Sequence, residues 1–120
     1  MITLVDTSVW IDHLRRRNNQ LAAILDEGSV CCHRFVVGEL ACGTLRNRAE
    51  LLSLLNALPE APIAGHEEVL NFVSERQLAG RGLGWIDMHL LASALLANCG
   101  LWTLDKALKS AAAELKVAST

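Results

Sequence analysis

Apolar runs and the polar positions that interrupt them divide the chain into short strands, each followed by helix. Ile2 to Val5 is a brief strand that stops at Asp6; Thr7 and Ser8 then open a helix in which Val9, Trp10, Ile11 and Leu14 return at helical spacing. Asn18 and Asn19 offer a cap for a second, short helix through Leu21, Ala22, Ile24 and Leu25, which Gly28 can stop. Ser29 to His33 reads as the next strand. Behind it Phe35, Val36, Leu40 and Leu45 form an apolar helical face interrupted by Glu39, and Leu51 to Leu58 carry a further helix that Pro59 and Pro62 end. Ala61 to Ala64 is a candidate short strand. His66 to Ala79 is an amphipathic helix with Val69, Leu70, Phe72 and Val73 inward. Asp87 opens a helix to Asn98 that Gly100 closes, Leu101 to Leu104 is a strand ending at Asp105, and an alanine-rich helix from Lys106 leads to a last candidate strand at Leu115 to Ala118.

The alternation of strands with helices predicts an α/β fold with a parallel sheet. It also predicts where the acids go. A helix of about twelve residues descends roughly 18 Å, and a strand of about four or five climbs back roughly 15 Å, so Asp87 and Asp105 return to the same end. Asp6 tops the first strand and Glu39 lies in the turn region after the second. In open parallel sheets the ligand crevice lies outside the carboxyl ends of the strands, so Asp6, Glu39, Asp87 and Asp105 are expected to face one crevice.

Composition narrows the class. The 120 residues suit one domain, taken as residues 1–120. Hydrophobic residues make up 52 %, a surplus that predicts a partner or dimer face, yet no apolar run approaches the roughly 18 residues of a membrane span. Met1 leads straight into the first strand, so a signal peptide is not expected and the protein is placed in the cytoplasm. Cys31, Cys32, Cys42 and Cys99 lack metal-site spacing and read as small buried hydrophobes; His13, His33, His66 and His89 are scattered. The net charge of −2 excludes binding of nucleic acid by bulk field alone, but Arg15, Arg16 and Arg17 run together, and Arg46 with Arg48 forms a second basic group.

Each of the four acids taken alone could serve as a helix cap or dipole partner. Together they repel, and each raises the proton affinity of the others unless a cation sits between them. Oxygen ligands without cysteine or histidine favour Mg²⁺ or Mn²⁺, and such an ion suits phosphodiester hydrolysis. Thr103, two residues before Asp105, falls on the same side of its strand and, with Thr7 and Ser8, is a candidate to orient a carboxylate or water. An adhesion module would need D-x-S-x-S, which Trp10 breaks, and a phosphoacceptor domain would need an aspartate that Ala61 to Gly65 does not supply. A binding or scaffold module with a vestigial metal site stands as the alternative to an enzyme.

VDTSVWID at the start, VVGEL, IDMHLLASAL and LWTLDKAL together resemble the PIN-domain ribonucleases of the VapC toxin type, from residue 2 to about residue 110. The resemblance implies a PIN-like three-layer fold with a five-stranded parallel sheet between helices, a homodimer, and Mg²⁺- or Mn²⁺-dependent endoribonuclease activity as the toxin of a toxin-antitoxin pair. The family's acidic positions fall on Asp6, Glu39, Asp87 and Asp105. A cognate antitoxin of the VapB kind, whose carboxyl-terminal segment blocks the active site, is also implied. This sequence departs in carrying Met88 and His89 where many relatives have a further acid, and Leu108 where an aromatic residue is common. Aromatics are few, so contact with the RNA substrate is expected from charge, with Arg15, Arg16, Arg17, Arg46 and Lys106 as the candidates.

Overall fold

The computed structural model describes residues 2–119. Its first strand, β1 (Thr3–Val5), leads through α1 (Thr7–Arg16) and α2 (Asn19–Asp26) to β2 (Val30–Cys31). Then come α3 (Arg34–Ala41), α4 (Arg48–Ala57), α5 (His66–Glu75) and α6 (Trp85–Ala97), followed by β3 (Gly100–Trp102) and α7 (Lys106–Glu114). The sheet order is β2-β1-β3 and both pairings are parallel, with Leu4 opposite Cys31 on one side and Leu101 on the other.

Five strands were expected and three form among the described residues. The two outer positions exist as single parallel bridges, Cys32 with Glu60 and Leu101 with Ala118. On the first edge the Cys32 amide donates to Pro59 O at 2.9 Å and the Ala61 amide to Cys32 O at 3.0 Å. Pro59 and Pro62 flank that contact and have no N–H to extend it. The strand expected at Ala61 to Ala64 therefore shrinks to a bridge centred one residue earlier. On the other edge the last segment crosses close to Gly100, where a Cβ would meet the Ser119 Cβ at 3.2 Å.

With the bridges included, the order is Glu60-β2-β1-β3-Ala118. The chain steps outward from β1 in one direction, then returns past it to β3. Right-handed crossovers then place α1 to α4 on one face and α5 to α7 on the other. The contacts agree: α1 packs on α2 and α3, and α3 on α4, whereas α5 packs on α6 and α6 on β3. Between β1 and β3 the direction reverses, the position at which open parallel sheets form their ligand crevice, at the carboxyl ends of the strands. Leu4, Val5, Leu90, Leu91, Leu101 and Leu108 are all essentially inaccessible and centre the core on this sheet. Leu108 is thus a packing residue.

Several local expectations shift. Leu70 is 42 % exposed rather than inward, and α5 ends at Glu75. Cys31, Cys32 and Cys99 are buried, but Cys42 is exposed. Helix α6 begins two residues before Asp87 and is closed by Asn98 in the left-handed region at φ 51°, ahead of Gly100. No helix among the described residues is long and apolar enough to cross a membrane.

Candidate active site

Asp6 is the residue after β1 and the N-cap of α1, with backbone dihedrals that are still extended. Its amide donates to Trp102 O at 2.9 Å, which prolongs the β1–β3 ladder by one bond and fixes the carboxylate at the mouth of the crevice. The side chain is 7 % exposed and does not cap its own helix. Instead its Oδ2 accepts from Ser8 Oγ and from Thr103 Oγ1, both at 2.7 Å. Ser8 Oγ in turn accepts from the Leu104 amide at 3.0 Å, and Thr103 Oγ1 from the Asp105 amide at 3.0 Å. One hydroxyl from each side of the crevice thus joins the first acid to the backbone that carries the last. Thr103 lies beyond β3, not within a strand, and these bonds are why the chain leaves the sheet there.

The other acids are held in the same manner. Glu39 Oε1 accepts from Thr7 Oγ1 at 2.7 Å, which ties α3 to the start of α1. Asp105 Oδ1 caps α7 through the Leu108 amide at 3.0 Å. Asp87 is the third residue of α6 and its Oδ2 accepts from the Gly84 amide at 2.9 Å, a reciprocal cap for the helix start. In all four acids the hydrogen bonds among the described residues fall on one carboxylate oxygen and leave the other without a protein donor.

The acids also sense one another. Burial is the largest influence on Asp87 and raises its pKa; the Gly84 amide opposes this, and the charges of Asp6, Asp105 and Glu39 add to the rise. Asp87 thus lies within electrostatic reach of the other three expected acids. Among the described residues no group of three or more acidic, histidine or cysteine side chains is placed to hold a metal ion together. The donor set nonetheless fits a hard divalent ion that keeps several waters and takes only one or two carboxylates directly, because each carboxylate is oriented by one oxygen and offers the other.

The basic candidates separate. Arg15 and Arg16 point about 100° apart on α1, and Arg17 leaves the helix with φ 45°, so the three do not form one patch. Arg16 pairs with Asp12 at 2.7 Å, and Arg17 lines a cleft with His13 and Asp26. Arg15 and Arg46 line a pocket of about 380 Å³ whose wall includes Glu39. Lys106 is exposed at the start of α7, beside Asp105.

Sequence reasoning missed one feature beside Asp87. His33, Phe35, His89, Trp85 and His66 form a chain of edge-on and tilted aromatic contacts with centroids 4.8–6.2 Å apart. Met88 and His89 are both buried in it or beside it. Four scattered histidines gave no spacing signal, since three elements far apart in the chain contribute to the stack.

Residues 3–114 match the PIN domain family. Two curated relatives, each called Ribonuclease VapC32, come from Mycobacterium tuberculosis strains CDC 1551 / Oshkosh and ATCC 25618 / H37Rv. Each is 48 % identical over 116 residues, which cover 96 % of this chain and 94 % of the relative. These likenesses fix the assignment: the chain belongs to the PIN-domain family, in its VapC group.

Proposed function

We propose that the protein is a metal-dependent endoribonuclease, the toxin of a toxin-antitoxin pair, with Asp6, Glu39, Asp87 and Asp105 as its catalytic and metal-holding acids. The observation that carries this is the common arrangement of those acids: each is fixed through one oxygen, and the charges of Asp6, Asp105 and Glu39 add to the rise in proton affinity that burial gives Asp87. A site built only to cap helices has no need to gather them. The 48 % identity to two proteins called ribonucleases supports the same reading.

Mg²⁺ or Mn²⁺, held by some of these carboxylates, would supply Lewis acidity at the phosphoryl oxygen and lower the pKa of water. The protein's own part is positional. Ser8 and Thr103 hold Asp6 rigid at the crevice mouth, Thr7 holds Glu39 opposite, and the free oxygens of the acids orient a water for in-line attack on phosphorus. The 3′ or 5′ oxygen of the neighbouring nucleotide leaves on the far side. Arg15, Arg46 and Lys106 are suited to hold the RNA backbone against the repulsion of the acidic site.

The partners follow from the same reading: RNA as substrate, a VapB-like antitoxin as inhibitor, and a second copy in a homodimer, acting in the cytoplasm. Incubating the purified chain with a mixed RNA pool, with and without Mg²⁺ or Mn²⁺, tests the activity. Cleavage that requires the metal is expected, and metal binding without cleavage of any RNA would favour a scaffold with a vestigial site. Light scattering checks the dimer, with a mass near twice the 13.0 kDa of one chain expected.

A further inference from the structure

We propose that the pocket between α1 and the end of α3 is a nucleotide subsite, which takes the base of one unpaired nucleotide next to the scissile phosphate while Arg15 and Arg46 hold the phosphates that flank it. This rests on the ribonuclease reading and adds to it a place where the strand is gripped.

The pocket holds about 380 Å³, at the small end of the roughly 300–1,000 Å³ typical of sites that enclose small molecules. Glu39, one of the four acids, forms part of its wall, so the pocket adjoins the candidate active site. Its floor is apolar. Leu40 is buried, whereas Ile11 and Leu14 are 37 % and 43 % exposed, which is costly for large aliphatic side chains with nothing to cover them. A flat ring laid on that floor would shield both.

Charge argues for a nucleotide rather than a plain hydrophobe. Arg16 is committed to Asp12, and Arg48 to the Ala41 carbonyl at 3.1 and 3.2 Å. Arg15 and Arg46 make no ion pair among the described residues and both line the pocket. Two uncommitted guanidinium groups around an apolar floor complement a ligand that is apolar in the middle and anionic at each end. A guanidinium plane can also stack on a base where no aromatic ring is present, and the pocket contains none.

Its length argues against a helical peptide. The α1 wall runs from Ile11 to Arg15, about 6 Å of helix, and the opposite wall is the turn from Gly43 to Arg46. A docked amphipathic helix needs anchors at i, i+3 or i+4, and i+7, spread over about 10 Å.

The test uses the full chain carrying Asp6→Asn, so that binding is read without cutting, and fluorescence anisotropy with short single-stranded RNA. Base-bearing strands are compared with an abasic ribose-phosphate strand of equal length. Base-bearing RNA should bind about fivefold or more tightly, the lower range for one stacked base. Leu14→Ala, which leaves charge unchanged at an exposed position, should erase that ratio. Arg15→Ala and Arg46→Ala should each lower the slope of log affinity against log salt by about 0.7, the value for one phosphate on a single strand. Unchanged ratio and slopes in a protein whose Asp6 parent still cuts RNA would overturn the subsite alone, and would leave the apolar floor to a protein partner. Failure of the chain to bind or cut any RNA would overturn both readings.

Discussion

Thr103 Oγ1 donates to Asp6 Oδ2 at 2.7 Å across 97 positions of sequence, and both residues are buried. The same hydroxyl accepts from the Asp105 amide, so one side chain sets the orientation of the first acid and the approach of the last. Thr103→Val keeps the shape and removes both bonds. It should cost about 1–3 kcal/mol, the range for a buried polar group left unpaired, and lower RNA cleavage by about a hundredfold, since an ångström of misplacement is sufficient for that. Thr103→Ser should restore most of the activity. Urea denaturation and cleavage rates measured on both variants separate this from a purely structural threonine, for which the loss of rate would merely follow the loss of fold.

Asp87 holds its proton more tightly in the folded chain than in the unfolded one, because of burial first and the other acids after it. A raised folded pKa means that the associated stability is present at low pH and is lost as pH rises through the folded pKa. At neutral pH the metal-free protein therefore carries a repulsive charge. Asp87→Asn should raise the melting temperature of the metal-free chain. Added Mg²⁺ or Mn²⁺ should raise that of the parent by several degrees, given about 1.4 kcal/mol at ten times Kd, and raise the variant's by much less. Equal metal-induced shifts in parent and variant, read by differential scanning fluorimetry, would remove Asp87 from the site.

His33 caps α3 by accepting from the Phe35 amide through Nδ1 at 3.0 Å, which requires a neutral imidazole. Burial is the main force that brings its pKa down to about 4, with the neighbouring His89 adding to the effect. In the unfolded chain it titrates near 6.5, so between these values the unfolded state binds more protons. Stability is then full above pH 6.5 and falls as pH drops toward 4, by up to about 3 kcal/mol. His33→Asn keeps a capping acceptor and removes the titration. Its denaturation midpoints, taken across that pH range, should decline less steeply than the parent's.

Much of this was legible in the residues because the strand-to-helix boundaries are marked by polar side chains. Asp6, Asp87 and Asp105 each follow or open an element, and the rise of helix and strand returned them to one end. The edges of the sheet were less legible. Ala61 to Ala64 has the apolar pattern of a strand, but Pro59 and Pro62 limit it to one bridge, and pattern alone does not price a missing N–H. The run Arg15 to Arg17 reads as one basic patch, but helical spacing and the turn at Arg17 separate it into a pocket wall, an ion pair and a cleft wall. The hydroxyl network is the deepest omission. Ser8 and Thr103 are candidates by position, but their joint hold on one oxygen of Asp6 depends on the first turn of α1 meeting the loop after β3.

The measurement closest to the central claim is a side-by-side RNA cleavage assay in Mn²⁺ of the parent and of Asp6→Asn, Glu39→Gln, Asp87→Asn and Asp105→Asn, each first checked for folding by circular dichroism. If the four acids act as one metal-holding site, every folded variant loses about a hundredfold or more in rate, in line with the removal of a single preorganised electrostatic group. Parent-like rates in the folded Asp6→Asn and Asp105→Asn proteins would contradict the account.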